Sequence, residues 1–160
     1  MSQVREVEGR LEARPGDRFA IVASRFNQVV VRGLIEGAIE GFASVGVGLD
    51  DLVVVHVPGA LEIPFAVRRL LAKDSLAGIV ALGAVIRGET GHYDIVARES
   101  AGQLARLAAE ASIPVLNGIL TVDDLSQGLE RAGGKAGNKG TEVALAAVRL
   151  ADLARRLEKE

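Results

Sequence analysis

Apolar residues in this chain fall in short blocks, and the blocks differ in period. FAIVAS at 19–24, LVVVHV at 52–57, GIVALGAVI at 78–86 and IPVLNGIL at 113–120 are near-continuous aliphatic runs, the pattern of strands buried on both faces. Between them the period lengthens. From Val31 the apolar residues Leu34, Ile35, Ala38, Ile39 and Phe42 recur at helical spacing, while Arg32, Glu36 and Glu40 fall four apart on the other side. This predicts an amphipathic helix ending near Gly46 and Gly48. Further helices are expected over about 62–73, over 93–111 with Val96, Leu104, Leu107 and Ala111 on one face, over about 124–132, and from the glycine-rich GGKAGNKG at 133–140 to the end. Pro114 is tolerable only at a strand start or edge. Phe19, Phe42 and Phe65 have core-like spacing, and His56, inside a strand run, reads as a packed core or interface histidine.

Four apolar strands alternating with helices through short turns predict an α/β fold, three layers deep, in which a parallel sheet is covered on both faces and joined by right-handed crossovers. At 160 residues the chain is expected to form one domain over 1–160, with residues 1–17 as a charged N-terminal arm.

Composition narrows the function. A formal net charge of -2 and a pI near 5.8 give no basic footprint, so neither nucleic acid nor a membrane surface is the expected partner. Cysteine is absent, which removes disulfides, thiolate catalysis and cysteine-ligated zinc; this suits a reducing, cytoplasmic setting, and no metal site is expected. The opening MSQVREVEGRLEARPGDR has no apolar core for an export machinery, and the longest apolar run falls far short of the roughly 20 residues that span a bilayer. Half the residues are hydrophobic, mean hydropathy is +0.27, and aromatics are only 3%. So much small aliphatic material in a small domain implies apolar faces shared between subunits.

In open parallel sheets, ligands collect at the carboxyl ends of the strands. Three loops there are chemically rich: SRFNQ (24–28), HVPGALEIP (56–64) and IRGETGHYD (86–94). In the third, Gly88 and Gly91 let the backbone bend around a ligand, and the amides of Glu89 and Thr90 can face an anion such as phosphate. Alternatively Thr90 is a helix cap and Glu89 complements the dipole. His92 follows, where an imidazole can pass protons or simply lie at the surface. Phe26, one of four phenylalanines, sits in a loop at the mouth of the sheet, placed either to stack on a planar heterocycle or to pack. Glu62 can accept hydrogen bonds from hydroxyls or merely open a helix. No G-x-G-x-x-G follows the first strand, and GGKAGNKGT is no phosphate loop, since Gly follows Lys139 and a helix precedes it.

With SRFN, PGALEIP, GAVIRGETGHYDIV and ERAGGKAGNKG in this order, the chain resembles lumazine synthase from about Phe19 to the last helix. The resemblance implies a flavodoxin-like fold with an N-terminal strand added to a neighbouring subunit. It implies condensation of 5-amino-6-(D-ribitylamino)uracil with 3,4-dihydroxy-2-butanone 4-phosphate to 6,7-dimethyl-8-ribityllumazine in riboflavin biosynthesis, without a cofactor. By the same resemblance Phe26, in the SRFN motif with Asn27, stacks on the pyrimidine, and Gly59, Ala60 and Glu62 hold the ribityl chain. The backbone near Val85 and Arg87 reads the uracil edge, Glu89 and Thr90 bind phosphate, and His92 moves protons. Asn117, Arg131 and Lys139 would come from a neighbour in a homopentamer, with Arg131 as the cation for the phosphate. The glycine-rich turn resembles that of members forming 60-subunit icosahedral shells. Asn117 and Leu61 stand where many relatives carry an aromatic or bulkier residue. The competing readings are a flavodoxin-type flavin-binding module, a structural cage protein, and a riboflavin synthase of the same fold.

Overall fold

The structure, a computed structural model, describes residues 3–73 and 75–160. Strands β1 (Phe19–Ser24), β2 (Leu52–Val57), β3 (Gly78–Ile86) and β4 (Val115–Val122) form one parallel sheet in the order β2-β1-β3-β4. Helices α1 (Gln28–Ser44), α4 (Leu125–Glu130) and α5 (Lys139–Leu157) pack on one side, and α2 (Ile63–Leu71) and α3 (His92–Glu110) on the other. The three-layer α/β arrangement is therefore as expected. Its cause is visible in β1, where side chains alternate between faces: Phe19, Ile21 and Ala23 join the core under α1 and α5, while Ala20 and Val22 join the core under α2 and α3. Every residue of the strand is buried, so the sequence needs a continuous apolar run and not a two-residue alternation.

Several local expectations need correction. Helix α1 starts at Gln28, three residues before Val31, because Asn27 adopts the left-handed conformation (φ 59°) and turns the chain directly into the helix. It ends at Ser44 in a Schellman turn: Gly46, at φ 99°, donates to the Ala43 carbonyl while Val47 donates to that of Phe42. Strand β4 begins after Pro114, whose carbonyl accepts from Ile79, and runs on to Val122. The glycine-rich stretch is not a bare turn. Ala132–Gly134 and Gly137–Asn138 form a small antiparallel hairpin, β5 and β6, with Gly133 and Gly137 both at positive φ. Helix α5 then starts at Lys139, capped by the Asn138 side chain, which accepts from Gly140 and Thr141.

Phe65 and His56 depart from a core reading. Phe65 is 59% exposed, with the Arg69 guanidinium one helical turn on lying 3.7 Å over its ring. His56 is exposed on β2, an edge strand with no neighbour on its outer side among the described residues. An interface role for His56 is untouched by this. Phe19 and Phe42 do pack in the core, their rings 4.8 Å apart.

The N-terminal arm, of which residues 1 and 2 lie outside the described part, follows helix α5. The amide of Arg10 donates to the Asp152 carboxylate at 2.8 Å, and Arg156 and Arg14 reach the same group at 2.6 and 3.4 Å. These contacts, the Arg10 amide first and Arg156 next, pull the Asp152 carboxyl down to about 2 from its ordinary 3.8. A value lowered by folding stabilises the arm fully above about pH 4, and the contribution disappears as pH falls toward 2. Asp152→Asn, equal in shape but uncharged, is expected to speed hydrogen exchange of the Arg10 amide about tenfold at neutral pH, since the charge-assisted bond is lost. Unchanged exchange at that amide would show that the carboxylate does not fasten the arm.

Candidate active site

Strand order reverses between β1 and β3, so the loops leaving their carboxyl ends part and open a crevice between them. A cleft of about 600 Å³ occupies that point. Its walls come from three loops: Phe26 and Asn27 after β1, residues 58–62 after β2, and Ala84–Ile86, Gly88, Thr90, His92, Tyr93 and Val96 from the end of β3 into α3. The three loops singled out by sequence therefore meet around one cavity.

The first wall is fastened before any ligand arrives. Arg25 and Phe26 donate backbone hydrogen bonds to Val57 and Pro58 at 2.8 and 3.1 Å, locking the first loop to the second. Asn27 spends its amide group on the Ala84 carbonyl at 2.7 Å, bridging the crevice floor to β3. Phe26 lines the cleft and is 71% exposed. A fixed backbone carrying an exposed ring is compatible with stacking on a planar group.

In the second wall Ala60–Glu62 form a one-turn 3-10 helix closed by the Glu62 amide donating to the Gly59 carbonyl at 3.1 Å, and α2 follows directly. Glu62 is exposed and lines the cleft, and a Cβ at Gly59 would meet its carboxylate only at the ordinary contact distance of 3.6 Å.

The third wall is the most open. Residues 87–92 are all exposed, and among the described residues the amides of 88–91 donate to no other protein group. Four unpaired N–H groups ahead of a helix start suit an anion better than they suit empty water. Thr90 does take part in capping, its hydroxyl accepting from the His92 amide at 3.3 Å, and its amide remains free as well. The His92 imidazole lies on the cleft wall at the first residue of α3. Val85 is buried in the cleft floor. Arg87 turns its side chain away from the cavity, and its amide is used by Val122 at 2.9 Å. Of its backbone groups the carbonyl is left to offer a ligand.

The remaining expected residues lie elsewhere. Asn117, Arg131 and Lys139 do not line this cleft. Asn117 is exposed on the outer strand β4, its side-chain oxygen accepting from Ile119 at 2.8 Å. Arg131 and Lys139 are brought together at the base of the hairpin, where the Lys139 amide donates to the Arg131 carbonyl at 2.9 Å. Tyr93 and Val96, which sequence reasoning did not place in the site, do line the cavity. Tyr93 is the only tyrosine and follows His92 directly, a signal that could have marked it.

No group of three metal-ligating side chains occurs among the described residues. Fold and cleft define a doubly wound α/β protein with a small-molecule site at its topological switch point. The model of the 6,7-dimethyl-8-ribityllumazine synthase family matches residues 16–155. The chain is also 44% identical, over 155 residues covering 97% of its length and 99% of the relative's, to the 6,7-dimethyl-8-ribityllumazine synthase of Chlorobaculum tepidum. It belongs to the lumazine synthase family.

Proposed function

We propose that this protein catalyses the condensation of 5-amino-6-(D-ribitylamino)uracil with 3,4-dihydroxy-2-butanone 4-phosphate, a transferase reaction giving 6,7-dimethyl-8-ribityllumazine, phosphate and water in riboflavin biosynthesis. The observation that carries this reading is the meeting of an exposed aromatic platform, an open carboxylate, four unpaired amides and a histidine around one cleft in a chain of this family. Phe26 stacks on the pyrimidine, Asn27 holds that loop to β3, and the Val85 backbone with the Arg87 carbonyl borders the heterocycle. Gly59, Ala60 and Glu62 hold the ribityl hydroxyls. The amides of Glu89 and Thr90 face the phosphate.

Chemistry then asks little of the side chains. The arylamine attacks the ketone and loses water to form an imine, phosphate leaves by elimination, and the ribitylamine closes the ring with a second loss of water. Each step moves protons, and His92 is the group beside the anion loop able to take and give them. No redox change occurs, so no cofactor is required.

The working unit is proposed to be a cytoplasmic homopentamer of one-domain subunits, assembled as a 60-subunit icosahedral shell. Supporting this, β2 presents a bare outer edge among the described residues, while arm residues 3–8 are exposed and belong to no strand, so one chain's arm can extend a neighbour's sheet. Asn117, Arg131 and Lys139, away from their own cleft, are available to complete an adjacent one, with Arg131 as the phosphate cation. Among the described residues no helix is long and apolar enough to cross a membrane.

The test is to mix purified protein with both substrates and follow lumazine and phosphate formation against a protein-free control. Saturable acceleration is expected; none from folded protein would refute the reading. Phe26→Ala is expected to raise KM for the pyrimidine about tenfold, since loss of a stacking face costs roughly 0.5–1.5 kcal/mol beyond lost area. KM for the phosphate substrate should hardly move, and equal rises in both would remove Phe26 from the stacking role.

A further inference from the structure

The loop that would hold phosphate has almost nothing holding it. Among the described residues, 88–91 make no backbone hydrogen bond through their amides, and a side chain added at Gly88 or Gly91 would meet no atom within 4 Å. Such a segment samples many conformations, few of which aim several amides at one point. Yet both of its ends run into a single side chain. Arg87, at the entry, donates through Nε to Asp123 at 3.1 Å, at the end of β4. The same guanidinium lies 4.4 Å over the ring of Tyr93 and 4.0 Å from Asp94, both in the first turn of α3 at the loop's exit. Asp123 is itself fixed by its amide, which donates to the Gln127 side chain at 2.8 Å, while Gln127 donates back to Asp124 at 2.8 Å.

Resting on the proposed function, we infer that Arg87 is a positioning residue: a latch that ties both ends of the phosphate loop to β4 and thereby presets the loop amides and the neighbouring His92. The Arg87 side chain does not line the cleft, so only the residue's carbonyl is proposed to border the substrate. Its partners are exposed, and exposed ion pairs contribute little to global stability, so the value of the arrangement lies in geometry. An arginine suits the task because its flat fork can meet a carboxylate with its edge and an aromatic ring with its face, which a lysine cannot do. Tyr93, held under that guanidinium, also lines the cleft, so the latch reaches the cavity wall through it.

Two substitutions separate this role from direct phosphate binding. Arg87→Met removes the fork, while Asp123→Asn leaves the cation and removes only its anchor. A latch requires both to weaken phosphate affinity, because each lowers the fraction of molecules with a competent loop; a competent tenth gives about a tenfold weaker apparent affinity. The double variant should be no worse than the worse single one. Direct binding by Arg87 predicts opposite signs, since freeing the cation from Asp123 would strengthen anion binding. Calorimetric titration with inorganic phosphate is the primary readout. Separate KM values for the two substrates are the second, with that of the phosphate substrate alone expected to rise, and thermal midpoints should stay within a few degrees.

Tighter or unchanged phosphate binding in Asp123→Asn would overturn the latch, as would equal effects on both KM values or no phosphate binding by the unaltered protein. If the unaltered protein binds phosphate but does not accelerate lumazine formation, the proposed function fails while the phosphate titrations still decide the latch.

Discussion

His92→Ala is expected to lower kcat by about 10²-fold while leaving turnover measurably above the uncatalysed rate, the lower range of what a positioned acid-base group contributes. The reason for a partial loss is the division of labour in the cleft. Both substrates are intrinsically reactive, and the proposed platform, carboxylate and amide loop hold them face to face, which by itself can supply a large part of an enzyme's acceleration. Alanine preserves that part. The His92 contact to the Thr90 hydroxyl is made by the backbone amide, so it survives the substitution, and the shape of the anion loop survives with it. KM for the phosphate substrate should therefore change little. Steady-state kinetics, beside the protein-free reaction, provide the check: the variant should keep a saturable rate above the uncatalysed one. A folded variant that binds both substrates but reacts only at the uncatalysed rate would mean that positioning contributes nothing here.

How far the sequence foretold this site depends on what each residue's role rests on. β1 and β3 were legible because a strand buried on both faces must be a continuous apolar run, whereas the outer strands β2 and β4, read the same way, carry exposed positions such as Val53 and Asn117. The convergence of three loops followed from parallel topology, which puts every strand's carboxyl end on the same side of the sheet. Phe65 misled because helical spacing marks a face without saying where the core ends, and an arginine one turn away can shield a ring that the core leaves out. Asn27 appeared only as part of a motif; its left-handed backbone and its bond to Ala84 depend on a strand 57 positions away. The grip of Arg87 on Asp123 and Tyr93 was equally hidden, since it joins the ends of two strands and a helix. Asn117, Arg131 and Lys139 mark a different limit: their proposed role involves a second chain, so neither periodicity nor the geometry of one subunit brings them to the cleft.

A large loss of stability is expected from Gly140→Ala, a change of one methyl group. Helix α1 carries Gly33, Gly37 and Gly41 at four-residue spacing, and this smooth stripe faces the hairpin and the start of α5. A Cβ on Gly140 would fall on the Leu34 carbonyl oxygen, inside any allowed contact, and its next neighbours are the carbon of that carbonyl and the Asn138 side chain. Nothing flexible is available to yield. The helix-propensity gain from alanine, at most about 1 kcal/mol, acts in the other direction and is too small to compensate. Overpacking of a core contact typically costs about 1–3 kcal/mol, and a backbone obstacle places this case at or beyond the upper end. Relief requires α5 to slide from α1, which would also move Lys139 and the Arg131 carbonyl bonded to its amide. A fall of about 3 kcal/mol is a large share of the roughly 5–15 kcal/mol that holds an ordinary domain folded. Urea unfolding monitored by circular dichroism at fixed protein concentration measures it, with Gly102→Ala, where no atom lies within 4 Å, as the exposed-helix control expected to be neutral or stabilising. Equal midpoints for the two variants would show that the α1–α5 contact is looser than its geometry requires.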